Sequence, residues 1–149
     1  MKFENEILIN AEIETAWNTF IDAGNPRHRQ PTLKSVTPRS GAPTEPGAVS
    51  ELVFDEDGRE VVMTRTITER RAPYFIAAEY DSAWSRVVVT HFQSLDDGGT
   101  CWTVYSRHRF AGMMEVMALL IHKAIRERNN DWRQRFKLLV ESRAAEQSP

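Results

Sequence analysis

The side chains best suited to chemistry in this chain are two polar residues on segments that otherwise alternate as apolar strands. Arg65 shares its parity with Val61, Met63 and Ile67, so the expected buried face of that strand carries a guanidinium. A buried charge is strongly unfavourable unless it is paired. Two alternatives are open: an ion pair with Glu51 or Glu79, which is the more common arrangement, or a guanidinium that binds a ligand's carboxylate or phenolate.

His108 is the second such residue. If Trp102 faces inward, Val104, Ser106 and His108 share its face by the two-residue period of a strand. The preferred interpretation of His108 is a hydrogen-bonded histidine at the rim of a pocket. The alternative is a general acid or general base in catalysis. His91 falls on the preceding strand, and the two imidazoles could meet across that hairpin.

No cofactor site or catalytic constellation is recognisable. The chain lacks HExxH, P-loop, GxGxxG and GxSxG patterns, and its four histidines have no helical ligand spacing. Cys101, the single cysteine, is expected to point away from Trp102 and to be a structural thiol. We therefore predict no metal, no cofactor and no nucleophilic triad.

The order of elements predicts one α+β domain over residues 1–149. A strand at 2–10 precedes a short helix capped by Asn10, and a second helical turn or loop follows at 25–32. Turn-forming residues at regular spacing then predict an antiparallel meander. Its strands are expected at 33–38, 48–54, 59–70, 74–80, 86–94 and 100–110.

A long amphipathic helix is predicted from about 111 to 145, a rod of roughly 50 Å that needs a broad partner surface. Its apolar stripe comprises Met114, Met117, Ile121, Ala124, Ile125, Trp132, Phe136, Leu139 and Val140. Its charged residues, Arg133 and Glu141 among them, are expected to face water, and Arg128 to extend from the stripe towards solvent.

Composition restricts the class of protein. The 149 residues are 41% hydrophobic and 27% charged, which is typical of a soluble globular domain. A net charge of −2 argues against a general nucleic-acid binder. The N-terminus has no apolar run typical of a signal peptide or membrane span, so we expect a cytoplasmic protein, either monomer or homodimer.

The chain resembles the SRPBCC superfamily, also called START-like or helix-grip. The resemblance is carried by INAEIETAWNTFID at 9–22, the prolines before LKSV, PGAVSELVF at 46–54, DDGGTCWTVYSRHRF at 96–110 and the long C-terminal helix. It implies a helix-grip fold: a curved antiparallel sheet of about seven strands wrapped around the long helix, with two short helices after strand 1. It also implies a pocket near the start of that helix.

The resemblance and the residue types together predict a ligand-binding cavity. The expected lining comprises Trp17, Met63, Arg65, Tyr80, Trp84, Trp102, Val104, Ser106, His108, Met114, Met117 and Ile121. The first functional hypothesis is binding or transport of a small hydrophobic or amphipathic molecule. The alternatives are a polyketide cyclase or aromatase using the same cavity, and a co-chaperone-type domain that binds a protein through the outer sheet face, whose positions Thr64, Thr66, Thr68 and Arg70 are polar.

Overall fold

Seven strands form one antiparallel sheet in the computed structural model, which describes residues 2–22, 30–82, 85–109 and 122–147. The sheet order is β1-β7-β6-β5-β4-β3-β2, so consecutive strands from β2 to β7 pair as a meander and β1 closes onto β7. The strands are β1 (Lys2–Ile9), β2 (Leu33–Ser40), β3 (Val49–Glu56), β4 (Arg59–Arg71), β5 (Phe75–Asp81), β6 (Ser85–Ser94) and β7 (Thr100–Arg109). The helices within the described residues are α1 (Ile13–Ile21) and α2 (His122–Gln147). The predicted fold class is confirmed.

The two-residue alternation of the strands decides which face is buried. In β1, Phe3, Ile7 and Ile9 are buried, whereas Lys2 and Glu4 are exposed. In β7, Trp102, Val104, Ser106 and His108 are all buried. These residues belong to the face that α1 and α2 cover.

The start of α1 lies later than predicted. Glu12, and not Asn10, is the N-cap residue, and its side chain makes no capping hydrogen bond. The backbone N–H of Asn10 instead donates to Oε2 of Glu141 at 2.9 Å, and this hydrogen bond tethers the chain before α1 to α2. Burial opposes ionisation of Glu141, but hydrogen bonds from Asn10 and Lys137 outweigh it and lower the pKa of this carboxyl. Glu141, expected in water, is therefore half-buried.

Phe136 connects α2 to the rest of the core. Its ring lies 4.6 Å from that of Trp102 and 5.6 Å from that of Phe20, and it also contacts Phe92. These rings come from α2, β7, α1 and β6. The contacts pin α2 across the covered face of the sheet.

A second contact fixes α2 at the far side of the sheet. Trp132 stacks on Phe54 of β3 with ring centroids 6.4 Å apart. Arg128 lies over the Trp132 ring, forms an ion pair with Glu56 and donates to Thr32. Arg128 is exposed, as expected. It does not extend only into solvent, however, because its ion pair joins α2 to Glu56 at the end of β3.

A bulge in β4 changes one predicted orientation. The pairing with β5 shifts between Ile67 and Glu69, which places Arg70 opposite the buried Ile76. Arg70, predicted to face outward, instead contacts Glu45 and lies 5.6 Å from the Trp17 ring. The prediction for Arg70 was wrong because one extra residue inverts the parity of everything after it.

Some predicted helical segments cannot be compared with the structure. The proposed second helix at 25–32 overlaps residues 23–29, which lie outside the described residues, and Pro31 and Thr32 form a turn. The first part of the long helix, 111–121, also lies outside them.

We expect Phe136→Ala to lower the free energy of unfolding by about 3–5 kcal/mol, because it removes a fully buried ring from four-element packing. Leu138→Ala is the matched control, since Leu138 is on the same helix and 65% exposed, and it should change stability by no more than about 0.5 kcal/mol. Urea denaturation measures both. Equal losses in the two variants would contradict the role of Phe136 as the anchor of α2.

Candidate functional site

A two-lobed cavity lies between the sheet and the helices. The first lobe, about 100 Å³, is bounded by β5, β6, β7 and α2, and the second, about 140 Å³, by β2 to β6 and α1. Both lobes are lined by Phe20, Tyr80, Val88 and Thr90, so they meet at these side chains. The first lobe is further lined by Gln30, Arg86, Trp102, Val104, Ser106, His108, Asn129, Trp132 and Arg133.

Polar side chains cross the cavity wall in one row. Strand register places Ser50 opposite Arg65, Arg65 opposite Tyr80, Tyr80 opposite Arg86, and Arg86 opposite His108. Residues directly opposite in antiparallel strands share a face, and neighbouring strands lie about 4.8 Å apart. This polar row, Ser50–Arg65–Tyr80–Arg86–His108, therefore runs from β3 to β7 across the covered face of the sheet. All five residues line one lobe or the other.

Several buried donors in the cavity lack an acceptor among the described residues. They are Nε of Arg65, Nε of Arg86, Nε1 of Trp102 and Oγ of Ser106. Buried polar groups are usually hydrogen-bonded, so a group of such atoms around one cavity indicates a place built for a polar partner.

Arg86 lines the first lobe beside Tyr80. Its guanidinium lies 4.5 Å from the centroid of the Tyr80 ring, a cation–π contact. Burial lowers the pKa of Arg86, and the positive charge of Arg128 lowers it further. The cation is thus kept in poorly solvated surroundings, where an anion interacts with it more strongly than in water.

His108 lies directly across from Arg86. Its ring packs edge-on against Phe3 of β1 at 5.3 Å, and the residue is only 6% exposed. Burial, followed by the charge of Arg86, lowers the pKa of His108 from 6.5 to about 4. At neutral pH this imidazole is uncharged.

Arg133 was predicted to face water, and that prediction was wrong. It is 8% exposed and lines the first lobe together with Asn129. Burial lowers the pKa of Arg133. Asn129, Arg133, Phe136 and Val140 recur at spacings of four, three and four residues, so they share one side of α2 and Arg133 belongs to the buried side.

Arg65 forms neither of the expected ion pairs. Glu51 pairs with Arg39 at 3.0 Å, and Glu79 is exposed opposite Thr66. Arg65 lies between Ser50 and Tyr80 at the wall of the second lobe. Within the described chain it has no carboxylate partner, so the ion-pair alternative was wrong.

The structure assembles half of the predicted lining residues. Arg65, Tyr80, Trp102, Val104, Ser106 and His108 all line the cavity. Trp17 and Met63 are buried in packed core clusters and do not line either lobe. Trp84, Met114, Met117 and Ile121 lie outside the described residues.

The contact between the two histidines, which the sequence left open, does not occur. His91 is paired with Thr103, five positions along β6 from the Arg86–His108 pair. Among the described residues, no group of three or more His, Cys, Asp or Glu side chains could hold a metal ion. Cys101 is a buried free thiol, and burial raises its pKa, which disfavours the reactive thiolate.

Two arginines of the first lobe were missed as site residues, although each had a signal in the sequence. Arg86 shares its parity with Val88, Thr90 and Phe92, so an inward Phe92 requires an inward Arg86. Arg133 precedes Phe136 by three positions on the same side of the helix. To use either signal, the buried face of the strand or helix must be identified from its largest apolar residue, and a charged residue on that face must then be accepted as buried.

Solved structures similar to this chain share its whole architecture. Ara h 8.0201 has a TM-score of 0.75 at 16% identity, over 95% of this chain and 98% of that one. A putative uncharacterised protein from Rhizobium leguminosarum has a TM-score of 0.77 at 12% identity, over 95% of both chains. Protein NE0264 from Nitrosomonas europaea has a TM-score of 0.76 at 12% identity, over 97% of both. The fold is a helix-grip fold.

Sequence comparison adds no assignment to that fold. No protein-family model matches the chain, and no curated protein matches it. The described helices include none that is long and apolar enough to cross a membrane.

Burial of His108 predicts a loss of stability in acid. The unfolded chain binds the proton with a pKa near 6.5, and the folded chain only near 4, so stability falls as the pH drops from 6.5 to 4. The loss attributable to this residue should reach about 3 kcal/mol below pH 4. Urea denaturation at stepped pH should show a flatter profile for His108→Gln than for the native protein.

His91→Gln is the matched control for this titration, because His91 lies on β6 with the opposite parity from Thr90 and Phe92. If His91→Gln flattened the profile as much as His108→Gln, the burial of His108 would not be the source of the acid sensitivity.

Proposed function

We propose that this protein binds a small hydrophobic or amphipathic molecule in the cavity between the sheet and α2. One observation carries the proposal: a cavity with largely apolar walls contains buried hydrogen-bond donors that lack acceptors in the described chain. Apolar walls with a few convergent polar groups are typical of small-molecule sites. On this proposal residues 1–149 are a single START-like domain of the SRPBCC superfamily, and the partner is a small molecule and not a nucleic acid.

The size of the lobes restricts the ligand. At about 100 and 140 Å³, each is smaller than the roughly 300–1,000 Å³ of a typical drug-sized site. A compact molecule, such as one with one or two fused rings or a short acyl chain, therefore fits the described cavity better than a steroid. Its apolar body would lie against Phe20, Val88 and Trp102, and burial of that surface would supply the affinity at about 25 cal/mol per Å².

Filling the cavity should abolish binding without unfolding the protein. Val88 lines both lobes, so Val88→Phe adds a ring at the wall that the two lobes share. Val87→Phe is the matched control, since Val87 is its neighbour on the opposite face and is exposed. We expect compact ligands to raise the Tm of the native and Val87→Phe proteins, and to leave that of Val88→Phe unchanged.

Native mass spectrometry provides the complementary measurement. Protein purified from its own host is expected to carry a small molecule that is absent from Val88→Phe. If the native protein carried none, and no member of a panel of compact acids, phenols, quinones and short-chain lipids raised its Tm, the proposal would be wrong.

Arg65 is proposed to orient a polar end of the ligand in the second lobe. Its Nε is buried without an acceptor, between Ser50 and Tyr80. Arg65→Met keeps an apolar stem but removes the donors, so it should weaken ligands with a hydrogen-bond acceptor by about tenfold. Titration calorimetry measures the change. An equal affinity in both proteins would remove Arg65 from the site.

One observation favours a second candidate, a cyclase- or aromatase-like enzyme. The imidazole of His108 is unprotonated at neutral pH and lies across from the Arg86 cation, so it could accept a proton while the guanidinium stabilises the resulting enolate. A pKa near 4 makes His108 a weak base, which places this candidate second. Deuterium exchange at the α-carbon of α-tetralone in D₂O tests it. Exchange no faster than in buffer, or equal in His108→Gln, would rule out this role.

A further inference from the structure

The first lobe has an unbalanced positive charge. Among the described residues that line it, Arg86 and Arg133 are charged at neutral pH, and none is Asp or Glu. His108 on β7 lies opposite Arg86 across the β6–β7 hairpin. Its burial lowers its pKa, so the imidazole is neutral at pH 7. Two buried guanidinium groups that line one small cavity are poorly solvated, an arrangement that is unfavourable without an anion.

Outside the cavity, arginines that bridge elements of the described chain pair with carboxylates. Arg128 pairs with Glu56, Arg70 with Glu45 and Arg143 with Asp22. Arg86 and Arg133 form no ion pair with a described residue, although they are more deeply buried than Arg128. The difference separates the cavity arginines from those that hold the fold together.

The neighbouring donors require an acceptor and not another donor. Guanidinium and indole nitrogens can only donate hydrogen bonds, and Nε of Arg86 and Nε1 of Trp102 are both buried without an acceptor among the described residues. Oγ of Ser106, on the same face as Trp102, can donate as well. A group with several acceptor lone pairs and a negative charge can accept from Arg86 and from Ser106, which lies two positions along β7 from His108, the residue opposite Arg86. A carboxylate is the smallest organic group of that kind.

We propose that the first lobe binds the carboxylate of a compact organic acid, held between Arg86 on β6 and Arg133 on α2. This inference rests on the proposed function and names the chemical class of its ligand. The acid's apolar body extends past Val88 and Thr90, the side chains shared by both lobes, towards the second lobe. Because Arg86 is on the sheet and Arg133 is on the helix, a carboxylate bound to both also links β6 to α2.

Matched pairs of acids and their neutral amides test the proposal: benzoate and benzamide, trans-cinnamate and cinnamamide, 2-naphthoate and 2-naphthamide, octanoate and octanamide. The members of a pair have nearly the same shape, so a difference in Kd reports the charge. Titration calorimetry at pH 7 on the native protein should show at least one acid that binds about tenfold or more tightly than its amide.

The same pairs are then measured on Arg86→Gln and Arg133→Gln, with Arg107→Gln and Arg135→Gln as controls. Arg107 is exposed on β7, and Arg135 is exposed on α2 and paired with Asp131. The two cavity variants should lose the preference for the acid while retaining the Kd for the amide, and the two controls should keep both. Unchanged amide binding shows that a variant has folded.

Each other outcome overturns a defined part of the account. If acid and amide bind the native protein equally, the anion site is wrong while the proposed function stands. If the preference survives in both cavity variants, the anion binds elsewhere. If no acid and no amide binds, the carboxylate site is wrong, and native mass spectrometry with the wider Tm panel then decides the proposed function separately.

Discussion

The packing of Phe136 against Phe20, Phe92 and Trp102 is the contact on which the rest of the structure depends. It joins α2 to α1 and to two central strands, and it lies one helical turn from Arg133 and Trp132. Trp132, stacked on Phe54, gives α2 a second fixed contact with the sheet. Because both contacts hold the helix in place, it cannot move closer to the sheet and close the cavity. The positions of Val88, Thr90 and Val104 on the wall follow from this clamp and from the strand register.

The polar row gives the cavity its chemical character, but burying these polar side chains lowers the stability of the folded protein. Arg65, Arg86 and His108 occupy positions that a purely structural sheet would fill with apolar side chains. Burial lowers the pKa of Arg86, Arg133 and His108, which means that each resists carrying charge in the fold. Proteins commonly retain such strained electrostatics at functional sites, because a ligand of opposite charge then releases the strain on binding. This account explains why neither Arg86 nor Arg133 has a carboxylate partner in the described chain, while nearby Arg128 does.

Much of the fold followed from sequence periodicity, and the errors have identifiable physical causes. Alternation in β1 and β7 and the spacing of turn residues predicted an antiparallel sheet of about seven strands and its buried face. Arg70 was misplaced because a bulge leaves no mark in a two-residue pattern. Arg133 was misplaced because its charge was taken as evidence of exposure, although its spacing to Phe136 put it on the buried side. Arg86 could be placed on the buried face from its parity with Phe92, but the sequence of neighbours in the polar row depends on cross-strand register, which local sequence does not reveal. The possible contact between His91 and His108 failed for the same reason.

Isotope-filtered NOE spectroscopy on the labelled protein with a bound compact amphiphile tests the central claim most directly, because it reports which side chains touch the ligand. The account predicts contacts from the ligand to the methyl groups of Val88, Thr90 and Val104, which line the cavity. Contacts confined to Val62 and Val87, whose side chains are exposed, would place the ligand outside the cavity and contradict the account.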